Sequence, residues 1–106
     1  MTKKQKLKIC NKVILHWWEN LFLAYAGELD EDDIGGDKCQ FCHCFYCQDC
    51  PIFLYSNHNC ISGLWHNINC AINDVFPNKQ IINLVKDFLK QLEYICDEWI
   101  DDNNNT

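Results

Sequence analysis

The chain contains no arginine; its nine basic residues are all lysine. Bidentate recognition of a phosphate or a guanine edge needs the planar guanidinium fork, so it is excluded. No run of 18 apolar residues occurs, which excludes a transmembrane helix and predicts no membrane partner. The start carries Lys3, Lys4, Lys6, Lys8 and Lys12, but neither an apolar core nor the small-residue cleavage site of a secretory signal. The expected setting is therefore cytoplasmic. Several enzyme signatures are missing too: H-E-x-x-H, the deaminase H-x-E…P-C-x-x-C pair, and any Gly-rich phosphate loop. The acids from Glu28 to Asp33 do not follow EF-hand order and read as a solvated connector ending at Gly35-Gly36. There is no internal repeat. These absences predict a protein that is not an enzyme.

What is present points to one compact domain. The 106 residues are 48% apolar, include 14 aromatics and carry a net charge of −6. Nucleic-acid binding draws most of its affinity from phosphate neutralisation, so this acidity disfavours a nucleic-acid partner despite the N-terminal lysine cluster. Nine cysteines are far more than a core of this size needs, and an odd number cannot pair completely. In a reducing compartment, clustered cysteines read as metal ligands.

Apolar residues at helical spacing define the architecture. From about residue 5 to 26, Leu7, Cys10, Ile14, Trp17, Leu21 and Tyr25 recur every three or four positions, widened by Val13, Trp18 and Phe22. Gly27 stands where a C-cap is expected, and the lysine-rich first turn opposes the helix dipole, so it is expected to fray. Leu64, Ile68, Ala71, Ile72 and Val75 make a shorter pattern with Ser62 as its N-cap. Pro77 breaks the chain, and Asn78 is expected to cap a third helix with the face Ile81, Val85, Phe88, Leu92, Ile95 and Trp99. The fold class is mainly α: a small helical domain over residues 1–100, of two long helices and one short one, with a metal-binding cysteine-rich loop. Residues 101–106 read as a disordered tail. The two long stripes are expected to face each other, with Phe53, Leu54 and Trp65 sealing one end.

The loop reads Cys39-Gln-Phe-Cys42-His43-Cys44-Phe-Tyr-Cys47-Gln-Asp-Cys50-Pro51, then His58-Asn-Cys60. A C-x2-C turn lets two thiolates converge on zinc at about 2.3 Å. Cys39/Cys42 with Cys47/Cys50 gives an all-thiolate tetrahedron. Only four residues separate the pairs, which leaves Cys60, or less readily His58, to replace Cys47 or Cys44. The metal ligands are thus drawn from Cys39, Cys42, Cys47, Cys50 and Cys60, and the number of ions is one or two. A second parse, Cys44-x2-Cys47-x2-Cys50-Pro51, has the spacing of an iron–sulfur run, so a cluster is the alternative cofactor. Cys10, Cys70 and Cys96 read as small hydrophobes on helices, and His16 and His66 as satisfied helix residues.

The segment His16-Trp-Trp-Glu-Asn-Leu21, followed by C-x2-C, C-x2-C-P-I, a further cysteine and Gly63-Leu64-Trp65, resembles small cysteine-rich proteins encoded by bacteriophages and prophages. In that group the cysteine pattern is C-x2-C, a short gap, C-x2-C-P and a fifth cysteine before a Thr-Pro-aromatic turn. Cys39, Cys42, Cys47, Cys50, Pro51 and Cys60 match; the Thr-Pro is absent and Cys44 is additional. The resemblance implies a viral origin and no particular activity. The expected function is a zinc-stabilised protein-interaction module that binds and modulates a host protein, as monomer or homodimer. The alternatives are a zinc knuckle that stacks single-stranded bases on Phe41, Phe45 and Tyr46, or a binder of a small molecule or nucleotide signal.

Overall fold

The computed structural model describes residues 1–56 and 63–102. Among them are five helices and no strand: α1 (Lys3–Tyr25), α2 (Gln40–Cys44), α3 (Pro51–Ser56), α4 (Leu64–Asn73) and α5 (Asn78–Asp101). Short 3-10 turns occupy Glu31–Ile34, Gly36–Lys38 and Cys47–Asp49. No described helix is long and apolar enough to cross a membrane.

The first turn of α1 is held by a reciprocal cap. The Thr2 hydroxyl accepts from the Gln5 N–H at 3.1 Å, and the Gln5 side chain accepts from the Thr2 N–H at 2.8 Å. This local bonding offsets the unfavourable lysines, and the helix starts earlier than its apolar period. The other end closes on Gly27 as expected. Gly27 lies at φ +72°, its N–H donates to Ala24 O, and the Glu28 N–H donates to Leu23 O at 2.8 Å. That is a Schellman motif, which satisfies carbonyls a helix would otherwise leave open.

α1 and α5 pack antiparallel along their length and form the core seam. Every position expected on α5 is buried, and Phe88 meets Trp17 edge-on at 4.6 Å. α1 is rotated relative to the expected stripe. Cys10, Val13, Trp17 and Leu21 are buried, but Leu7 and Tyr25 are exposed, and Lys6, Asn20 and Ala24 lie inside in their place. The reason is that α1 carries two apolar stripes. One faces α5, while Leu15, Trp18, Phe22 and Tyr25 form another, at spacings of three, four and three, on the flank.

The stretch from Cys39 onward, expected to be a loop, contains α2 and α3. Helices of five and six residues are too short for a period to show; packing holds them. Phe41 is fully buried and meets Trp99 edge-on at 6.0 Å, and Phe45 meets the same ring at 5.6 Å. Phe53 and Leu54, expected to seal the core, stay exposed, because α3 turns Pro51 and Ile52 inward instead. Trp65 is half-buried and donates its Nε1–H to Ile34 O at 2.8 Å. Ile34, in the acidic connector, is itself buried. Of the expected tail, Asp101 ends α5, Asp102 caps it, and 103–106 lie outside the described residues.

The α4–α5 corner differs from the expected capping. Ser62 lies outside the described residues, and Gly63 holds the N-cap position of α4. Pro77 is the N-cap residue of α5, so Asn78 is its first helical residue and caps nothing. Between them Val75 adopts φ +53°, with the Phe76 N–H bonded to Ala71 O at 2.9 Å. A β-branched residue in this left-handed conformation is strained by about 1–2 kcal/mol, and at 85% exposure Val75 recovers none of it through packing. Glycine relieves that strain while losing about 0.5–1 kcal/mol more entropy on folding, so Val75→Gly is expected to stabilise by about 0.5–1 kcal/mol net. A melting temperature a few degrees higher is the outcome to look for; an unchanged or lower one counts against strain at this corner.

Candidate functional site

The cysteine-rich segment begins where the turn Gly36–Lys38 delivers Cys39 to the N-cap position of α2 in extended conformation (φ −92°, ψ 123°). Cys42 follows within the first turn of that helix, and the two thiols hydrogen-bond to each other. This bond with Cys39 holds the Cys42 thiol far above the ordinary thiol range. A shared proton between two converging sulfurs is what a thiophilic metal replaces, since coordination requires the thiolates. His43 donates its Nε2–H to Asp37 O at 2.6 Å and so braces the turn. Cys44, at the end of α2, is exposed and accepts from the Gln40 side chain at 3.6 Å. Cys50 is buried at the start of α3, where its carbonyl accepts the Leu54 N–H at 3.0 Å.

The expected ligands thus divide. Cys39 and Cys42 are brought together, Cys50 is placed inside the core, and Cys44 is turned to solvent. The Cys47 side chain, and Cys60 and His58 entirely, lie outside the described residues. Among the described residues, no three cysteine, histidine or acidic side chains converge closely enough to hold a metal ion.

Behind the Cys39–Cys42 turn lies a cleft of about 180 Å³, bordered by those two cysteines, His16, Trp17, Trp65 and Phe88. His16 is set by its bond from Nε2 to Asp33 O at 2.8 Å, and Asn20 Nδ2 donates to the same carbonyl at 3.3 Å. His16 Nδ1 is buried without a hydrogen-bond partner. The expected reading of His16 as a satisfied helix residue therefore holds at Nε2 and not at Nδ1, and its anchor, a backbone carbonyl, leaves no mark in the residue pattern.

The helical cysteines fall into two kinds. Cys10 and Cys96 are buried on facing helices and hydrogen-bond to each other, which together with burial raises the Cys96 thiol well above its usual range. Cys70 is half-buried on α4, and its Sγ lies 3.5 Å from His66 Nε2 one turn earlier.

On the opposite flank of α1, about 200° around the helix from His16, lies an open groove of about 480 Å³. Trp18, Phe22, Tyr25 and Leu89 supply its apolar lining, and Lys86, Lys90 and Glu93 its charged groups. Trp18 is 45% and Phe22 74% exposed, and the Lys86 ammonium sits over the Tyr25 ring at 5.4 Å. Comparison with protein-family models, curated proteins and solved structures finds no match to this chain.

Proposed function

We propose that the protein is a non-catalytic, metal-stapled helical module of phage origin that binds a host protein in the cytoplasm through the outer flank of α1 and modulates it. The observation carrying this reading is the uncovered stripe Leu15, Trp18, Phe22 and Tyr25 beside the groove that Lys86, Lys90 and Glu93 line. Large aromatics are the commonest energetic anchors of interfaces, and residues spaced three and four apart on one helix match a helix-in-groove contact. The occupant that fits is an amphipathic segment whose apolar face is flanked by acids, paired to Lys86 and Lys90. The chain's net charge of −6, with acids along the connector, steers encounter with basic surfaces elsewhere on the partner.

The metal half of the reading rests on the Cys39–Cys42 pair, with further thiolates from Cys47, Cys50 and Cys60 completing a zinc shell. An iron–sulfur cluster is the alternative. A shell filled by thiolates leaves no open position for a reacting water, which favours a structural role over catalysis. Base stacking draws less support: Phe41 and Phe45 are packed on Trp99, and only Tyr46 of the three aromatics is fully exposed.

Replacing Trp18 and Phe22 together by aspartate is expected to leave the stability within about 1 kcal/mol of the parent, since Phe22 is largely in water and Trp18 is nearly half exposed. The same change is expected to abolish co-purification of a stoichiometric host protein. Retention of that partner, or light scattering showing the free chain to be a dimer through this flank, would overturn the host-binding assignment.

A further inference from the structure

We propose that Cys10 and Cys96 are a redox-modification site, where a peroxide converts the pair to a disulfide that ties α1 covalently to α5. The inference rests on neither the metal nor the host-binding reading.

The two sulfurs come from opposite ends of the sequence, yet they are in hydrogen-bond contact where the long helices face each other. Both residues are almost fully buried, at 1% and 2% exposure. A disulfide sets its sulfurs at about 2.05 Å. From hydrogen-bond contact, reaching that distance asks for an approach of two side chains and not for a shift of either helix. The backbone on both sides is already held. Lys6, one turn before Cys10, donates to the carbonyl of Trp99, one turn after Cys96, at 2.9 Å.

The pair is asymmetric. The Cys96 S–H donates to the Cys10 sulfur, and this bond pulls the Cys10 thiol below its ordinary range. Burial and the Asp97 carboxylate push the other way, while the Lys6 ammonium reinforces the bond. Cys96, as donor, is held up by the same bond and by burial. Reactivity follows thiolate character, so Cys10 attacks and Cys96 resolves.

The Cys10 thiolate attacks one oxygen of hydrogen peroxide. An S–O bond forms, the O–O bond breaks, and the departing hydroxide takes up the proton Cys10 had given to solvent. The Cys96 sulfur then attacks the Cys10 sulfur. The S–S bond forms, the S–O bond breaks, and the hydroxyl leaves with the Cys96 proton as a second water. Two thiols lose two electrons and the peroxide accepts them. Burial selects the oxidant: a small uncharged peroxide enters through local opening of the seam, where a bulky charged disulfide such as that of glutathione is shut out. It also makes the reaction slower than oxidation of the exposed Cys42 and Cys44.

The sequence makes the test direct. Without arginine, trypsin cuts only after lysine, which leaves Cys10 alone in peptide 9–12, Cys96 alone in 91–106 and the remaining cysteines together in 39–79. The reduced, folded full chain is treated with hydrogen peroxide, unfolded in iodoacetamide and digested without reductant. The expected product is 9–12 joined to 91–106, two hydrogens lighter than their sum and split by a reductant. The linked chain should melt on the order of 10 °C higher, because the bond closes most of the chain into one loop. Cys10→Ser treated alike should show neither the link nor that rise. In Cys96→Ser, dimedone should label Cys10 as its sulfenic acid, whereas in Cys10→Ser it should leave Cys96 unlabelled. Peptides 9–12 and 91–106 recovered separately and fully alkylated after a large peroxide excess would overturn the proposal. A linked chain that melts lower than the reduced one would show that the seam does not hold the bond's geometry, and would overturn it too. Should either variant fail to fold, the peptide map and melting of the parent decide alone.

Discussion

Cys39→Ser or Cys42→Ser is expected to damage the protein far more than Cys10→Ser, although Cys10 is the more deeply buried of the three. Structural zinc is worth about 10–16 kcal/mol in apparent free energy at neutral pH, which exceeds the roughly 5–15 kcal/mol by which a domain of this kind is stable. Losing a ligand from the C-x2-C turn should therefore release α2, and with it Phe41 and Phe45 from the Trp99 ring. Cys10→Ser trades one donor for another beside Cys96 and costs about 1–3 kcal/mol. Thermal unfolding of the four chains, parent included, reads the difference, and metal analysis of aerobically purified parent should give about one zinc per chain. Equal melting temperatures for Cys39→Ser and Cys10→Ser would remove the basis for a metal at this turn. Brown material containing iron and labile sulfide would replace zinc with a cluster.

The parts of this fold that could be read from the sequence are those whose causes are local. α5 was legible because one face is apolar and the rest polar, leaving one way to bury it. The break at Pro77 and the close of α1 at Gly27 follow from single-residue backbone chemistry. Cys39 and Cys42 meet because Cys39 is the N-cap residue of α2 and Cys42 lies in that helix's first turn, a placement the spacing alone does not impose. α1 was misread in register because its two stripes overlap, and periodicity cannot say which of them finds a partner. The choice falls to α5, which takes the Val13–Trp17–Ala24 side and leaves Trp18 and Phe22 out. α2 and α3 had no signal of their own, since Phe41 and Ile52 are held by Trp99 and the core rather than by helical propensity. The cleft at His16 was illegible because Asp33 contributes its carbonyl, a group every residue has.

Lys6 is the clearest case of a role assigned from a distance, and it carries the second large prediction. As part of a basic terminus it reads as solvated, yet it is only 3% exposed. Its ammonium donates to Trp99 O at 2.9 Å and to Asp102 O at 3.4 Å, and lies 5.4 Å from the centre of the Trp99 ring. The last carbonyls of α5 have no partner within the helix and carry the negative end of its dipole, so a lysine from the opposite end of the chain supplies both hydrogen bonds and charge. Tyr55 of α3 completes the joint by donating its hydroxyl to the Asp102 carboxylate, and burial followed by that bond pushes the phenol up to about 12. Trp99 is the hub, touched by α1 through Lys6 and by the cysteine-rich segment through Phe41 and Phe45. Trp99→Ala is expected to cost about 3–5 kcal/mol, a fall in melting temperature on the order of 20 °C. Lys6→Met keeps most of the stem but leaves the Trp99 carbonyl only the Asp102 N–H at 3.3 Å and removes the charge from the end of α5, for a loss of about 1–3 kcal/mol. Lys3→Met and Lys8→Met, both exposed, should stay within about 0.5 kcal/mol of the parent. If Lys6→Met unfolds with Lys8→Met, α5 does not depend on the first turn of α1 for its cap; if it falls toward Trp99→Ala, the two ends of the chain are closed by this one side chain.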